Sequence, residues 1–259
     1  MILRRLSQSL KEQNWTAIVI EFILLIAGVF LGIQVANWNE ERERNKQSEI
    51  FTERLKADLR EEAWGYALVL EYNKDVLANI ESVLADLQGE AKLSDEQFVI
   101  NAFRATQYRS IDRKRATYDE LVSTSKIDLI KDQALRNSAI KLYNIPMLDN
   151  LYNEGVSSEY RKLFRSTVSK DVQQALFENC SDGFAKVLDY TSITELLNQS
   201  CSLGLPAEKI TAAANALRTH DEMLASSQLR FAEVSTTIRN LKNRPIIVKA
   251  FEEITGRKL

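Results

Sequence analysis

Hydrophobic and polar positions divide the chain into two unequal parts. The first is an apolar run from Thr16 to Val35, which reads TAIVIEFILLIAGVFLGIQV. A run of ~20 apolar residues is what a helix needs to cross the ~30 Å hydrocarbon core of a bilayer. Trp15 and Trp38 flank the run, about 35 Å apart along a helix, and amphipathic rings are favoured at the two headgroup levels. The pattern predicts an uncleaved transmembrane helix over residues 15–38.

Beyond residue 38 the apolar residues recur at alternating three- and four-residue steps, which is typical of helices that bury one face. The segment 39–88 contains no proline, so we expect one long helix that leaves the membrane as a solvated, charged stalk and then carries a narrow apolar seam. Helix starts are predicted at Ser94, Thr117 and Asp132, which have N-cap spacing. Later helices are predicted from 148 towards 176, near 195, from 206 to 241, and after Pro245.

Composition supports a helical fold. The chain has only 8 glycines and 3 prolines in 259 residues, which leaves too few turns for a sandwich, barrel or doubly wound sheet. Pro146 is expected to end or kink a helix near Asn144. The predicted fold class is all-α, with one N-terminal transmembrane helix followed by a long-helix bundle.

Three small residues in the membrane segment are spaced four apart and therefore share one helix face: Gly28, Gly32 and Ala36, here called the small-residue stripe. Such spacing lets a second helix approach closely. Glu21 lies about 20° from the same face, and an intramembrane carboxylate favours a protein partner. The alternative is that Glu21 reaches water near the interface or is protonated, and that glycine is simply common in membrane helices.

The orientation of the span rests on the two cysteines. Basic residues on the two sides nearly balance, with Arg4, Arg5 and Lys11 before the span and Arg42, Arg44 and Lys46 after it. Cys180 and Cys201 are a candidate disulfide, which would suit an oxidising compartment and stabilise the fold by about 3 kcal/mol. The alternative is a pair of buried free thiols. We therefore expect residues 1–14 to form a short cytoplasmic tail and residues 39–259 a periplasmic helical bundle domain.

Residues 104–115, the basic segment, carry the one pronounced cluster of positive charge. Arg109, Arg113, Lys114 and Arg115 form a possible contact for a phosphate, a lipid headgroup or an acidic partner. The alternative is that these side chains are solvated or pair with nearby acids.

Residues that would indicate catalysis, metal binding or nucleic-acid binding are sparse. The 34 basic and 36 acidic residues nearly balance, which argues against a nucleic-acid partner. There is one histidine, and His220 and its acidic neighbour point about 100° apart on a helix, so we expect no metal site and no cofactor. The adjacent carboxylates Glu61 and Glu62 are predicted to be solvated surface.

Three stretches of the sequence resemble a family of uncharacterised single-pass bacterial inner-membrane proteins with a helical soluble domain. They read LRRLSQSLKEQNW, GVFLGIQVANWNEER and TYDELVSTSKIDLIKDQALR. In that family glycine often stands where this chain has Ser125. The resemblance implies a bacterial inner-membrane setting and brings no catalytic residues.

We expect a non-enzymatic, membrane-anchored interaction or scaffold protein of the bacterial envelope. It would contact the lipid bilayer and act through self-association as a homo-oligomer or through a membrane-protein partner. The alternative is a periplasmic ligand-sensing helical bundle, which would need a partner for output because residues 1–14 have no room for an output domain. An enzyme is the third possibility, although the sequence contains no catalytic motif that supports it.

Overall fold

The computed structural model describes residues 15–144, 147–243 and 245–257. Within these residues the chain forms eleven α-helices and one 3-10 helix, and no strand. The helices are α1 Trp15–Leu87, α2 Asp95–Ala105, α3 Ala116–Ser123, the 3-10 helix Ile127–Leu129, α4 Gln133–Tyr143, α5 Met147–Ser157, α6 Glu159–Thr167, α7 Lys170–Cys180, α8 Tyr190–Leu197, α9 Ala207–Arg218, α10 Met223–Lys242 and α11 Pro245–Thr255. The predicted all-α class, with a long apolar N-terminal helix before a bundle, is confirmed.

α1 is one unbroken helix of 73 residues, which at 1.5 Å per residue is about 110 Å long. Its apolar N-terminal part is long enough to cross a membrane, and the rest of the chain buries none of it. The other end stops as predicted, because Gly89 adopts a left-handed backbone with φ +77°. Glycine reaches that conformation without a Cβ penalty, which is why it commonly ends helices.

From Leu55 onward α1 forms the centre of the bundle, and three groups of buried side chains surround it. The core nearer the apolar segment, called the proximal core, joins α1 between Leu55 and Val76 to α3, α4 and α10. The distal core joins Ile80 and Val83 to α2, α6, α7 and α9. A smaller side cluster joins Trp64 and its neighbours to α8 and α11.

The expectation of a narrow apolar seam on α1 is wrong. Every residue from Glu62 to Leu70 is buried, whichever side of the helix it occupies. The reason is that α10, α8 and α11 pack on different sides of this stretch, as well as α2 further along. A helix surrounded on all sides does not show the one-sided pattern of a surface helix.

The solvated stalk is shorter than expected. Ser48 is buried, and its hydroxyl donates a hydrogen bond to the carbonyl oxygen of Leu129. The Lys131 ammonium donates to the side-chain oxygen of Asn45 at 2.6 Å. The 3-10 helix region therefore contacts α1 about 10 Å beyond Trp38, so the bundle begins close to the end of the apolar segment.

Two of the three predicted helix starts are confirmed. The Ser94 hydroxyl accepts a hydrogen bond from the Gln97 amide, and the Asp132 carboxylate accepts from the Ala134 and Leu135 amides. Thr117 is not an N-cap, because α3 begins one residue earlier.

The two longest helices predicted after α1 are each interrupted. The helix expected from 148 towards 176 is three helices, with breaks near Ser158 and Val168. The helix expected from 206 to 241 breaks between Arg218 and Met223. Residues 1–14, where the tail is expected, and Pro146, where the kink is expected, lie outside the described residues.

Candidate functional site

The small-residue stripe lies on the side of α1 that faces away from the bundle. At about 100° per residue, the buried Ser48, Leu55 and Leu59 lie roughly 140–180° around the helix from Gly32. A Cβ atom added at either glycine would meet no atom within 4 Å. The stripe is therefore accessible to a second helix, whereas the opposite side of α1 packs against the bundle.

Glu21 is partly shielded in the apolar segment. One of its carboxylate oxygens is hidden from solvent and has no hydrogen-bond partner among the described residues. A buried, unpaired polar atom is costly, so this carboxylate is a candidate for a contact with another chain. The flanking Trp15 and Trp38 are both largely exposed.

The structure joins Cys180 and Cys201 in a disulfide. The bond ties the end of α7 to the segment before α9, and the intervening chain carries α8. Two hydrogen bonds hold this disulfide loop on α1. The Tyr72 hydroxyl donates to the Asp182 carboxylate, and the Trp64 indole donates to the Asp189 carbonyl oxygen at 3.2 Å.

Arg113 in the basic segment is buried in a network of ion pairs and hydrogen bonds. Its guanidinium donates to the Glu62 carboxylate, to Asp149 at 2.8 Å and to the Leu142 carbonyl oxygen at 3.2 Å. The Glu62 side chain is fully buried and also accepts from the Lys114 amide at 2.9 Å. The prediction of a solvated Glu62 is therefore wrong, because α1 turns this carboxylate towards the α2–α3 connection.

Three neighbours of Arg113 also have partners within the chain. Lys114 pairs with Glu61 at 3.7 Å, and Arg115 pairs with Asp119 at 2.9 Å. The Arg104 guanidinium donates to a backbone carbonyl oxygen in the disulfide loop. For these three side chains the alternative interpretation of the basic segment is correct: groups of the same chain, and not a ligand, pair with the positive charge.

Arg109 is the exception in the basic segment. It is half-buried, and among the described residues it has neither a hydrogen bond nor an ion pair. It lines a cavity of about 530 Å³, called the cleft here, between the basic segment, the α5–α6 junction and α10. The cleft is in the size range of small-molecule sites.

Close packing shapes one wall of the cleft. A Cβ atom added at Gly155 of α5 would overlap the Tyr108 side chain, so glycine is required for this approach. The Arg161 guanidinium lies 4.9 Å from the centre of the Tyr108 ring, in a cation–π geometry. These contacts fix Tyr108 and, with it, the backbone that carries Arg109.

Two more arginines near the cleft are hydrogen-bonded chiefly to carbonyl oxygens at the end of α2. Arg230 donates to Ala105 at 3.0 Å and to Gln107 at 2.8 Å, and Arg161 donates to Thr106 at 2.9 Å. Burial lowers the pKa of Arg230 and of Arg161. Backbone carbonyl oxygens, more than carboxylates, therefore satisfy the guanidinium groups of Arg230 and Arg161.

Ser158, where α5 gives way to α6, also lines the cleft. The residue is 5% exposed, and its hydroxyl has no hydrogen-bond partner among the described residues. It occupies the N-cap position of α6, yet its side chain makes no capping hydrogen bond. The first-turn amides of α6 therefore receive no side-chain cap.

His220 and the potential metal ligands form no reactive or metal-binding arrangement among the described residues. The His220 imidazole accepts a hydrogen bond from the Glu222 amide at 3.2 Å, in the break between α9 and α10. Within the described residues, no group of three or more His, Cys, Asp and Glu side chains is arranged to hold a metal ion.

Sequence reasoning missed two residues that shape the cleft, Ser158 and Arg230. Arg230 could have been found, because it falls on the buried face of α10 at helical spacing from Ser227, Val234 and Ile238. A basic residue on an apolar face signals a buried charge. Nothing in the local sequence distinguishes Ser158 from other serines at helix starts.

The comparisons with known proteins identify a family of unknown function. The sequence model described as "Family of unknown function (DUF6090)" matches residues 21–184. A search of curated proteins and a search of solved structures each gave no match. The match covers more than half of the chain, including part of the apolar segment, the basic segment and the cleft residues up to α7. The chain belongs to this family.

Proposed function

We propose that this member of the family is a membrane-anchored helical interaction protein of the bacterial envelope. It works without catalysis, through self-association or through a membrane-protein partner. In this proposal residues 15–38 are a single pass through the inner membrane, residues 1–14 are a cytoplasmic tail, and residues 39–259 are a periplasmic domain. The disulfide between Cys180 and Cys201 supports the oxidising side for the domain.

One observation carries the proposal, namely the opposite orientation of two faces on one continuous helix. The small-residue stripe faces away from the side of α1 that the bundle covers. A second helix can therefore pack along the stripe without disturbing the bundle. Because α1 is unbroken from Trp15 to Leu87, a contact made in the membrane also sets the orientation of the bundle.

The exposed face of α1 continues above the membrane in line with the stripe. Ile50 lies eighteen residues beyond Gly32 on the same side of the helix and is 49% exposed. Glu43 also lies within about 20° of this side, whereas Glu41 lies about 180° from it. Both glutamates are exposed, so they provide a matched pair for mapping the contact.

Cysteine crosslinking in membranes tests this arrangement. We expect Glu43→Cys to form a crosslinked dimer readily and Glu41→Cys to form several-fold less, because only Glu43 lies on the side of the stripe. The two native cysteines are bonded to each other, so the introduced cysteine is the one that reacts. Replacing Gly28 and Gly32 with Leu in the Glu43→Cys protein should abolish the dimer, because the larger side chains keep the helices apart. Equal crosslinking at both positions, together with no effect of the leucines, would contradict self-association through the stripe.

Orientation needs a separate experiment. Cys180 and Cys201 are labelled with a membrane-impermeant maleimide in cells with a permeabilised outer membrane, before and after treatment with an impermeant reductant. Labelling only after reduction is expected for an oxidised pair in the periplasm. Labelling that needs no reductant but requires lysis of the inner membrane would place the bundle in the cytoplasm.

The second candidate function is a ligand-sensing bundle that signals through a partner. The cleft favours it, because Arg109 there lacks a partner among the described residues. Binding in the cleft can be measured independently of self-association, so the two functions are separable.

A further inference from the structure

Arg109 differs from its neighbours in the basic segment in having no carboxylate partner among the described residues. Within the described chain, its neighbours Arg113, Lys114 and Arg115 all pair with carboxylates, and Arg109 does not. A partly buried guanidinium that keeps its hydrogen-bond donors unused by the protein is free to bind an anionic group. Its position on the wall of a cavity suggests that the partner is a molecule that enters the cavity.

Three groups inside the cleft can bind an anionic group together with Arg109. The Ser158 hydroxyl is buried and has no partner among the described residues. The first-turn amides of α6 receive no side-chain cap and lie at the positive end of the helix. The Arg230 guanidinium adds a second positive charge, partly satisfied by carbonyl oxygens and by Glu233 at 3.4 Å.

Three carboxylates also line the cleft. Glu154 and Glu159 line the cleft and are exposed, and Glu233 lines it on the α10 side. Among the described residues neither Glu154 nor Glu159 has a salt bridge. These carboxylates would repel a polyanion and attract a cationic group.

From this arrangement we propose that the cleft binds a small zwitterion of the α-amino acid class. The carboxylate of the ligand pairs with Arg109 and accepts hydrogen bonds from Ser158 and the first turn of α6. Its ammonium group faces Glu154 and Glu159. The volume of about 530 Å³ accommodates such a molecule with its side chain.

Titration of the full chain in detergent micelles tests the proposal. Thermal unfolding is measured with each standard L-amino acid at about 10 mM, and any amino acid that raises the midpoint is then titrated by calorimetry. Inorganic phosphate, succinate and the amine that lacks the carboxylate are titrated alongside. We expect at least one amino acid to bind, and the three comparison compounds to bind at least about tenfold more weakly. Phosphate and succinate lack the ammonium group, and the amine lacks the carboxylate.

Variants distinguish the cleft from other surfaces. Arg109→Gln should weaken binding by about ten- to a hundredfold, as expected for loss of a charge-assisted hydrogen bond. Arg109→Lys should recover part of that loss. Ser158→Ala should weaken binding several-fold while leaving the unliganded melting temperature unchanged, because the hydroxyl has no partner in the described chain to lose. Arg239→Gln, an exposed arginine on α10, is the matched control and should bind normally.

Each opposite outcome overturns the proposal. If no amino acid binds the wild-type chain, the cleft is not such a site. If phosphate or succinate binds and amino acids do not, the zwitterion assignment is wrong. If Arg109→Gln and Arg239→Gln lose affinity equally, the ligand binds elsewhere. Crosslinking of Glu43→Cys with and without the ligand is recorded on the same preparations, so failure of this proposal leaves the self-association result standing.

Discussion

The proximal and distal cores pack against the same helix but are held by different polar interactions. The proximal core contains the buried pair of Glu62 and Arg113, which has side-chain exposures of 0% and 8%. The distal core contains the disulfide and the less buried Arg218, which pairs with Asp86 at 2.8 Å and Asp95 at 2.6 Å. One end of the bundle therefore depends on a desolvated charge pair and the other on a covalent bond and a partly hydrated pair.

This difference has a physical consequence. Removing one partner of a buried charge pair leaves the other charge buried without compensation. In an exposed or partly hydrated pair, the remaining side chain can be solvated by water instead. The proximal core should therefore be sensitive to single substitutions and insensitive to reductants. The distal core should respond to reduction and to acid. Four measurements test this contrast.

The largest effect is expected from Glu62→Ala, which leaves Arg113 buried without its main partner. We expect a loss of about 3–5 kcal/mol in the free energy of unfolding, measured by urea denaturation of the chain in micelles. The control is Glu120→Ala, because the pair of Glu120 and Arg54 is exposed and should contribute less than about 1 kcal/mol. Similar losses in the two variants would remove the distinction between buried and exposed pairs.

Removal of the disulfide should have the next largest effect, and it should be confined to the distal part. Replacing Cys180 and Cys201 with Ser is expected to cost about 3 kcal/mol in the chain-entropy account. Hydrogen exchange should accelerate in α7 and α9, while α3 and α4 keep their protection. Equal acceleration in all four helices would show that the two cores unfold as one unit.

A smaller effect is expected from Arg218→Gln. The substitution removes hydrogen bonds to two carboxylates and the contact of the guanidinium with the Phe98 ring at 4.4 Å. We expect a loss of about 2 kcal/mol, again by urea denaturation. Lys209→Gln is the control, because Lys209 pairs with Asp171 at the exposed surface. A loss for Lys209→Gln as large as that for Arg218→Gln would contradict the expectation.

The smallest effect is an acid dependence at the distal core. Burial by itself would raise the pKa of Asp86, but hydrogen bonds from Arg218 and the Leu93 amide outweigh it, and the pKa is lowered. Hydrogen bonds from Thr211 and Arg218 also lower the pKa of Asp95. A carboxyl whose folded pKa is lowered stabilises the fold above its unfolded pKa of about 3.9, and this contribution is lost as the pH falls.

The measurement is the urea midpoint of the wild type and of Arg218→Gln between about pH 3 and pH 6. The difference between the two proteins should be constant above about pH 4.5 and should shrink below it, since protonated carboxyls no longer favour the guanidinium. A difference that is independent of pH would show that packing against Phe98, rather than charge, accounts for the contribution of Arg218.

Much of the architecture could be predicted from local sequence. The apolar run after Trp15, the end of α1 at Gly89 and the starts at Ser94 and Asp132 each depend on side chains within one or two helical turns. The helix predicted after Pro245 is also present. Local signals failed at Thr117, where the amide donates instead to the Asp58 carboxylate on α1 at 3.1 Å.

The site could be predicted only in part. The basic segment was visible as a cluster, and the pairing of the two cysteines was open between two alternatives. Which of the basic residues would remain without a partner was not visible. The carboxylates that pair with Arg113 belong to Glu62 and Asp149, which are 51 and 36 positions away in the chain.

The sequence by itself determined the elements that depend on near neighbours along the chain: an apolar helix long enough for a membrane, a helical bundle after it, and the helix ends at Gly89, Ser94 and Asp132. Helix periodicity and capping act over a few residues, so a single sequence contains that information. The tertiary structure alone decided that α1 is buried on all sides between Glu62 and Leu70, and that Arg109 lines the cleft with no ion pair to any described residue. Burial and charge balance depend on residues brought together from distant parts of the chain, and no local pattern specifies which ones meet.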